Sequence, residues 1–311
     1  MSIASNVISI DIGGTKIKSA IVSNGKVMEP LLNQTETSDH KAIIEQIVNI
    51  IGSYQKRLNM QIDGVGIAIA GAIDHQSGNI IESPNLPFPK GFHLKPELET
   101  IINKSVYVGS ELKMAALGEL YYGAARGKQN VVVITIGTGV GAAVIINGNL
   151  YHGSHNIAGE IGHTCVDSSN EAILCSCGRT GCIEAYTSGP SLILKMIRCS
   201  GMKDIQIAKR IDKGIKPKDI LQDAIKGNQI DKKALDETAF YIGICVANVR
   251  NYYDPEIIIF RGGFIENIWE YIKNAVEDET RKRVMSDQEI PLVLSELGGD
   301  SVLLGVASAI Q

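Results

Sequence analysis

Residues 131–151, VVVITIGTGVGAAVIINGNLY, read as strand, Gly/Thr turn, strand, turn and strand, and they repeat the pattern of residues 8–27, ISIDIGGTKIKSAIVSNGKV. Each apolar β-rich run breaks at a glycine turn carrying a threonine, which suits a β-meander with polar groups at its bend. The repeat implies an internal duplication. Between the two copies, Ile43, Ile44, Ile47, Ile50 and Ile51 recur at helical spacing around Lys41 to Leu58. Asp63 to Ile73 reads as an apolar strand, and from Ser105 a short strand feeds a helix over Leu112 to Leu120. Near the C-terminus PEIIIFRGGF is a buried-type strand ending at Gly262-Gly263, and SVLLGVASAI reads as a closing helix. Alternating β and α elements in two similar halves predict an α/β protein of two lobes, with ligands in a cleft between them.

Composition narrows the class. The chain has 311 residues, 44% hydrophobic and 21% charged, with a formal net charge of -4. That is globular, and it offers no basic field for nucleic acid or an anionic membrane. No window has the roughly 18 uninterrupted apolar residues of a membrane span, and Asp11 and Lys16 fall where a signal peptide is apolar. The expectation is a cytoplasmic protein without membrane or nucleic-acid partners. The charge-rich stretch from Lys209 to Lys233 reads as solvated helix and loop surface.

Two turns carry the first chemistry. In Asp11-Ile-Gly13-Gly14-Thr15-Lys16 the paired glycines let backbone amides approach an anion, and the Thr hydroxyl and Lys ammonium add donors. A plain hairpin turn would explain this motif alone, but its echo at Gly137-Thr138-Gly139 favours a pair of phosphate loops. Together they would enclose the β- and γ-phosphates of a nucleotide, with Asp11 helping to hold Mg²⁺ through its hydration shell. There is no Walker A motif, and IGTGVGAA lacks the helix and acidic residue of a dinucleotide fingerprint. The second chemistry lies in Gly159-Glu160-Ile161-Gly162-His163 and, twelve positions after His163, the run CSCGRTGCIE ending at Glu184. His163, Cys175, Cys177 and Cys182 supply one imidazole and three thiolates, a tetrahedral set for structural Zn²⁺, and this reading is preferred over free structural thiols or a redox pair.

With these motifs in view, the chain resembles the ROK family (repressor, open reading frame, kinase) over nearly its whole length. The likeness rests on DIGGTK at Asp11, GVGIAIAGAID at Gly64, SPNLPFPKGFHL at Ser83, MAALGE at Met114 and IGTGVGAAVIINGNLYHGSHNIAGEIGH at Ile136. It continues through CSCGRTGCIE, Asp254-Pro255 with Gly262-Gly263, and LLGVASA. The resemblance implies an actin/hexokinase-like (ribonuclease H-like) fold and an ATP-dependent kinase of a hexose or N-acetylhexosamine. It further implies a small lobe of residues 1–112 joined by a C-terminal helix at 300–311, and a large lobe of residues 113–299 with its zinc segment at 163–184. Glu160, His163 and Glu184 would grip sugar hydroxyls, with Gly71, Asn85 and Ser110 lining the same pocket and Gly262 and Gly263 on the nucleotide side. Asn85 reads equally well as a turn former before Pro87.

Two departures stand out. Family kinases carry Asn-Asp before the Ala-Ala-Leu-Gly-Glu helix, the Asp taking the proton from the sugar hydroxyl; here Ser110-Glu111 stands there. Glu111 keeps the carboxylate but reaches about an ångström further, a displacement able to cost roughly a hundredfold in rate. Arg261 replaces a glycine in the nucleotide-side turn. Two functions follow: a sugar kinase with Glu111 as general base, or a sugar-binding regulator that has lost transfer. A DNA-binding repressor is disfavoured because Asp11 leaves no room before it for a helix-turn-helix. The resemblance suggests a homodimer or homotetramer, with Tyr121-Tyr122 as interface aromatics or as ordinary helix-end packing.

Overall fold

The computed structural model describes residues 6–57, 61–200 and 205–310. In chain order the first elements are β1 (Asn6–Ile12), β2 (Lys16–Ser23), β3 (Lys26–Gln34), α1 (His40–Arg57), β4 (Gly64–Ile69), β5 (Ala72–Ile73), β6 (Ile80–Glu82), α2 (Leu94–Ile102), β7 (Val106–Ser110) and α3 (Glu111–Tyr122). Then come β8 (Val131–Ile136), β9 (Val140–Ile146), β10 (Asn149–Leu150), α4 (Glu184–Thr187), α5 (Gly189–Ser200), α6 (Ile205–Asp212), α7 (Pro217–Ile225) and α8 (Gln229–Tyr253). The chain closes with β11 (Ile257–Arg261), α9 (Gly263–Arg281), β12 (Leu292–Leu294) and α10 (Ser301–Ser308).

Two five-stranded sheets have the same plan. Their orders are β3-β2-β1-β4-β7 and β10-β9-β8-β11-β12, a meander extended from its first strand by two later strands. β1 pairs antiparallel with β2 and parallel with β4, β4 pairs parallel with β7, and β11 pairs parallel with β12. The second turn of each meander is an Asn-Gly pair, with Asn24 at φ 48° and Gly25 at 73°, and Asn147 at 51° and Gly148 at 76°. Positive φ at both positions is what a two-residue hairpin turn of this hand needs. The sequence repeat is thus a repeat of topology.

By internal contact the chain forms two units: Met1–Val131 with Ala143–Ala158 and Ser295–Gln311, and Val132–Ala142 with Gly159–Leu294. The sequence placed the division after residue 112 and began the returning C-terminal piece at residue 300; α3 and residues 143–158 instead belong with the first unit. Close helix packing is the cause. A Cβ on Gly118 of α3 would lie 2.0 Å from the Ser301 carbonyl oxygen, and one on Gly305 of α10 would lie 1.7 Å from that of Met114. Leu150 packs on the Ala68, Met114 and Val306 cluster, drawing its segment to the same unit.

In the first unit, strand alternation sorts the core. Ile8, Ile10 and Ile12 of β1 pack with Ile43, Ile47 and Ile51 of α1 and Leu94 and Leu98 of α2, whereas Val7 belongs with Leu303, Leu304 and Ala307 of α10. Tyr122 joins that second cluster while Tyr121 is exposed, so helix-end packing accounts for one of the two. The stretch from Asp63 to Ile73 is not one strand. β4 stops at Ile69 because Gly71 sits at φ 152°, where a Cβ would come within 2.5 Å of the Glu82 carbonyl oxygen. Leu58 and Gln311, at the ends of two expected helices, lie outside the described residues.

In the second unit, Trp269 of α9 stacks at 4.6 Å on Phe260 of β11. The charged stretch from Lys209 to Lys233 is mostly exposed, as its reading as solvated surface expects, with an exception at Asp231. Asp231 is fully buried and receives Arg210 Nη1 at 3.0 Å, and Arg210 also meets Asp223 at 3.1 Å. A charge on a helix face is invisible to periodicity when its partner lies on another helix.

Candidate functional site

The parallel strands of the first unit end level with one another. The register pairs Asp11 with Ala68 and Ile69 with Ser110, so Asp11, Gly71 and Ser110 cluster at the carboxyl edge of β1, β4 and β7. Ligands of open α/β sheets bind at that edge. The Gly13-Gly14 turn continues from β1. Gly13 N–H donates to the Lys16 carbonyl at 3.0 Å, Thr35 Oγ1 donates to the Gly13 carbonyl at 2.8 Å, and Thr35 N–H donates to the Thr15 carbonyl at 3.0 Å. Thr15 and Lys16 are exposed.

A Cβ on Gly14 would lie 3.1 Å from Asn85 Cβ and from its carbonyl oxygen, so the phosphate-type turn and the SPNLP turn touch. Asn85 is exposed, while Ser83 beside it is buried and donates to the Ala70 carbonyl at 2.6 Å. Ser110 stands at the N-cap of α3 without capping it through its hydroxyl, and Glu111 follows, half-buried in the first helical turn.

Lys113 was not singled out by the sequence. It is buried, and its Nζ donates to the Asn156 carbonyl at 2.9 Å, while His75 Nδ1 meets Asn156 Oδ1 at 2.6 Å. His75 stacks on His152 at 4.0 Å. Burial, with Lys113 and His75 nearby, takes His152 down to about 4, so that ring is neutral at ordinary pH.

The second unit carries the other turn. Gly137 N–H donates to the Gly139 carbonyl at 2.9 Å, and Gly189 N–H, at the start of α5, donates to the Gly137 carbonyl at 2.8 Å. Thr138 at the tip is exposed. Glu184 secures this turn: its Oε2 accepts from Val140 N–H at 2.9 Å and its Oε1 from Ser176 Oγ at 2.8 Å. A Cβ on Gly139 would stand 2.9 Å from Glu184 Oε2, so glycine there admits the carboxylate. Gly262, at φ 110°, lies against the end of β8, where a Cβ would come within 2.6 Å of the Ile136 carbonyl oxygen, and Gly263 is exposed at the first turn of α9. Arg261 is buried at the end of β11. Ser176 lies inside the cysteine motif, yet nothing in its spacing marks it as a donor to Glu184, and Thr35 carries no local signal at all.

Four potential ligands converge beside Glu184. His163 lies in a single 3₁₀ turn, Ile161–His163, that begins just after the exposed Glu160. One ligand atom each from His163, Cys175, Cys177 and Cys182 falls within 4.8 Å of the others, with Cys177 Sγ to Cys182 Sγ at 3.7 Å and Cys175 Sγ to His163 Nδ1 at 3.8 Å. A tetrahedron with metal–sulfur bonds of about 2.3 Å has edges of about 3.8 Å, so the donor set fits zinc in chemistry and in size. Nδ1 faces the cluster, which leaves Nε2 for another partner. Hydrogen bonds from the Arg179 backbone and side chain bring the Cys177 thiol down to about 6, and burial followed by its sulfur neighbours pushes Cys182 up to about 12. Among the described residues no helix is long and apolar enough to cross a membrane.

The ROK family model matches residues 7–311. The chain is 32% identical to a glucokinase of Halalkalibacterium halodurans, over 96% of this chain and 92% of that one. It is also 29% identical to a xylose repressor of Caldicellulosiruptor bescii, over 96% of this chain and 76% of the repressor. A crystal structure of a ROK family glucokinase from Streptomyces griseus in complex with glucose and AMPPNP superposes with a TM-score of 0.81 at 27% identity, covering 98% of each chain.

Proposed function

The chain belongs to the ROK family, and from that premise we propose that it transfers the γ-phosphoryl group of ATP to a hydroxyl of a hexose or N-acetylhexosamine. One observation carries the reading: the Glu111 carboxylate begins α3 at the strand edge that also holds Asp11 and the Gly13-Gly14 turn. An acid and an anion-receiving backbone loop on one edge are the two parts that phosphoryl transfer to an alcohol requires. Glu111 accepts the proton of the acceptor hydroxyl as its oxygen bonds to the γ-phosphorus. The bond from that phosphorus to the bridging oxygen breaks, and ADP leaves with the electron pair.

The turns at Gly13-Gly14 and at Gly137-Thr138-Gly139, braced by the Gly13 and Gly137 amides, each receive phosphate oxygens on their own unit, with Thr15, Lys16 and Thr138 adding exposed donors and Gly262-Gly263 serving the nucleotide. Mg²⁺, held through water by Asp11, would neutralise charge on the β- and γ-phosphates. Glu160 and Glu184 accept hydrogen bonds from sugar hydroxyls and the Nε2–H of His163 donates to a sugar oxygen, while on the first unit Asn85, Gly71 and Ser110 are the residues assigned to sugar contact. Zn²⁺ held by His163, Cys175, Cys177 and Cys182 would supply structural order, fixing the imidazole and the Glu184 segment. The protein works in the cytoplasm as a homodimer or homotetramer.

A second reading, a sugar-binding regulator without transfer, is favoured by Ser110-Glu111 and by the similarity to a xylose repressor. Glu111→Asp separates the two. An active site built around Glu loses rate on shortening, whereas a lapsed kinase gains phosphorylation from near zero. Sugar-stimulated ADP release across a hexose panel tests the primary reading; intact sugar binding without any such release would overturn it.

A further inference from the structure

Cys165 is the one cysteine of this segment outside the four-ligand set. It is exposed, and its Sγ rests 3.3 Å from the Asp167 carbonyl oxygen. Its backbone bridges Cys182 in an antiparallel pair. Val166 N–H donates to the Gly181 carbonyl at 2.8 Å, and Ile183 N–H donates to the Thr164 carbonyl at 2.9 Å. These two bonds flank the pair and make 165 and 182 a non-hydrogen-bonded pair, the closer kind, with Cα atoms about 4.5 Å apart and side chains on one face. Such a separation lies inside the range of about 4.4–6.8 Å that a disulfide needs. Gly181 leaves room for the sulfur to turn: a Cβ there would stand 3.3 Å from Cys165 Sγ.

We propose that Cys165 and Cys182 form an oxidative modification site, in which a peroxide converts the pair into a disulfide that removes Cys182 from the metal-ligand set. The inference rests on the zinc reading above. The exposed Cys165 thiolate attacks one oxygen of hydrogen peroxide; the O–O bond breaks, the sulfur becomes a sulfenic acid and hydroxide leaves as water. The Cys182 thiolate then attacks that sulfur, the S–S bond forms, the S–O bond breaks and a second hydroxide departs as water. Two thiols are oxidised and one peroxide reduced. Three ligands remain, and with them a weaker hold on the metal and on the neighbouring Glu184. Cys177 and Cys182, at 3.7 Å, offer a rival pairing inside the set; Cys177 is exposed as Cys165 is, but it is engaged as a ligand, which leaves Cys165 as the exposed thiol that peroxide meets outside the set.

The test uses the full-length protein as purified. Elemental analysis first gives its zinc content; a value near zero sinks the zinc reading and leaves the thiol pairing to be judged by mapping alone. Peroxide is then added while zinc release is followed with a chromogenic chelator. The oxidised protein is cut with trypsin and a glutamate-specific protease, which separates residues 161–171, 172–179 and 180–184. The expected result is a cross-link between the first and last of these peptides, zinc release in step with it, reversal by dithiothreitol, and release slowed by roughly tenfold or more in Cys165→Ser. A Cys177–Cys182 cross-link with Cys165 still reduced, or zinc release from Cys165→Ser at the wild-type rate, overturns the proposal. Cys199→Ser, at a half-exposed cysteine distant in sequence, controls for general thiol loss and should release zinc as the wild type does.

Discussion

Glu184→Ala and Glu184→Gln should part company in stability. The carboxylate accepts one hydrogen bond from the Val140 amide at 2.9 Å and one from the Ser176 hydroxyl at 2.8 Å. Alanine removes both acceptors, and each bond to an ionised group is worth about 1.5–3 kcal/mol when shielded. Glu184 is half-buried, so solvent reclaims part of this and the expected loss is about 2–4 kcal/mol in total. Glutamine can keep both contacts. Its carbonyl oxygen accepts from Val140, and its amide donates to Ser176, whose hydroxyl is free to turn. The cost should stay within about 1 kcal/mol. Urea unfolding at fixed zinc concentration, followed by circular dichroism, measures both. The glutamine protein should still bind sugar about tenfold more weakly, since a neutral acceptor replaces a charged one. Equal destabilisation by the two variants, or an alanine loss under about 0.5 kcal/mol, would show that these bonds do not hold the turn in solution.

Three further predictions concern other parts of the molecule. Lys195 is buried with its Nζ on the Tyr186 carbonyl and Thr238, and burial takes it down to about 7. The unfolded chain therefore holds an extra proton between about pH 7 and 10.5, and stability should rise with pH there by up to ~1.4 kcal/mol per unit relative to Lys195→Met; equal slopes for the two proteins would refute it. Cys177→Ser should lose stoichiometric zinc and a cooperative thermal transition, as should strong chelation of the wild type, and full zinc retention by the variant would contradict the ligand set. Gly305→Ala, whose Cβ would meet the Met114 carbonyl at 1.7 Å, should cost more than about 3 kcal/mol by chemical denaturation, and a neutral effect would deny the close α3–α10 contact.

The repeated meander was legible because it is local: apolar alternation, a Gly/Thr turn and an Asn-Gly turn occur in both copies, and both became strands in the same sheet order. The convergence of four potential ligands was legible for a similar reason, since Cys175, Cys177 and Cys182 lie close in sequence and only His163 is added from outside. Long-range pairings were not. Nothing in residues 209–233 says that Asp231 turns inward to Arg210, and nothing near Glu111 says that Lys113 reaches the Asn156 carbonyl. The contact units differ from the expected division because α3, which looks like the start of a new half, packs on α10 where glycines 118 and 305 admit it. Packing between distant segments depends on shape, which periodicity does not encode.

The most direct test concerns proton removal at position 111. Wild-type protein and Glu111→Gln are compared for sugar-dependent ADP release with ATP, Mg²⁺ and a panel of hexoses and N-acetylhexosamines, sugar affinity being measured separately by calorimetry. The wild type should turn over at least one sugar, and the variant should lose roughly 10²–10⁴-fold in rate while sugar affinity changes only a few-fold. Wild-type rates in the variant, or a wild type that binds sugar and never releases ADP, would contradict the role assigned to this carboxylate.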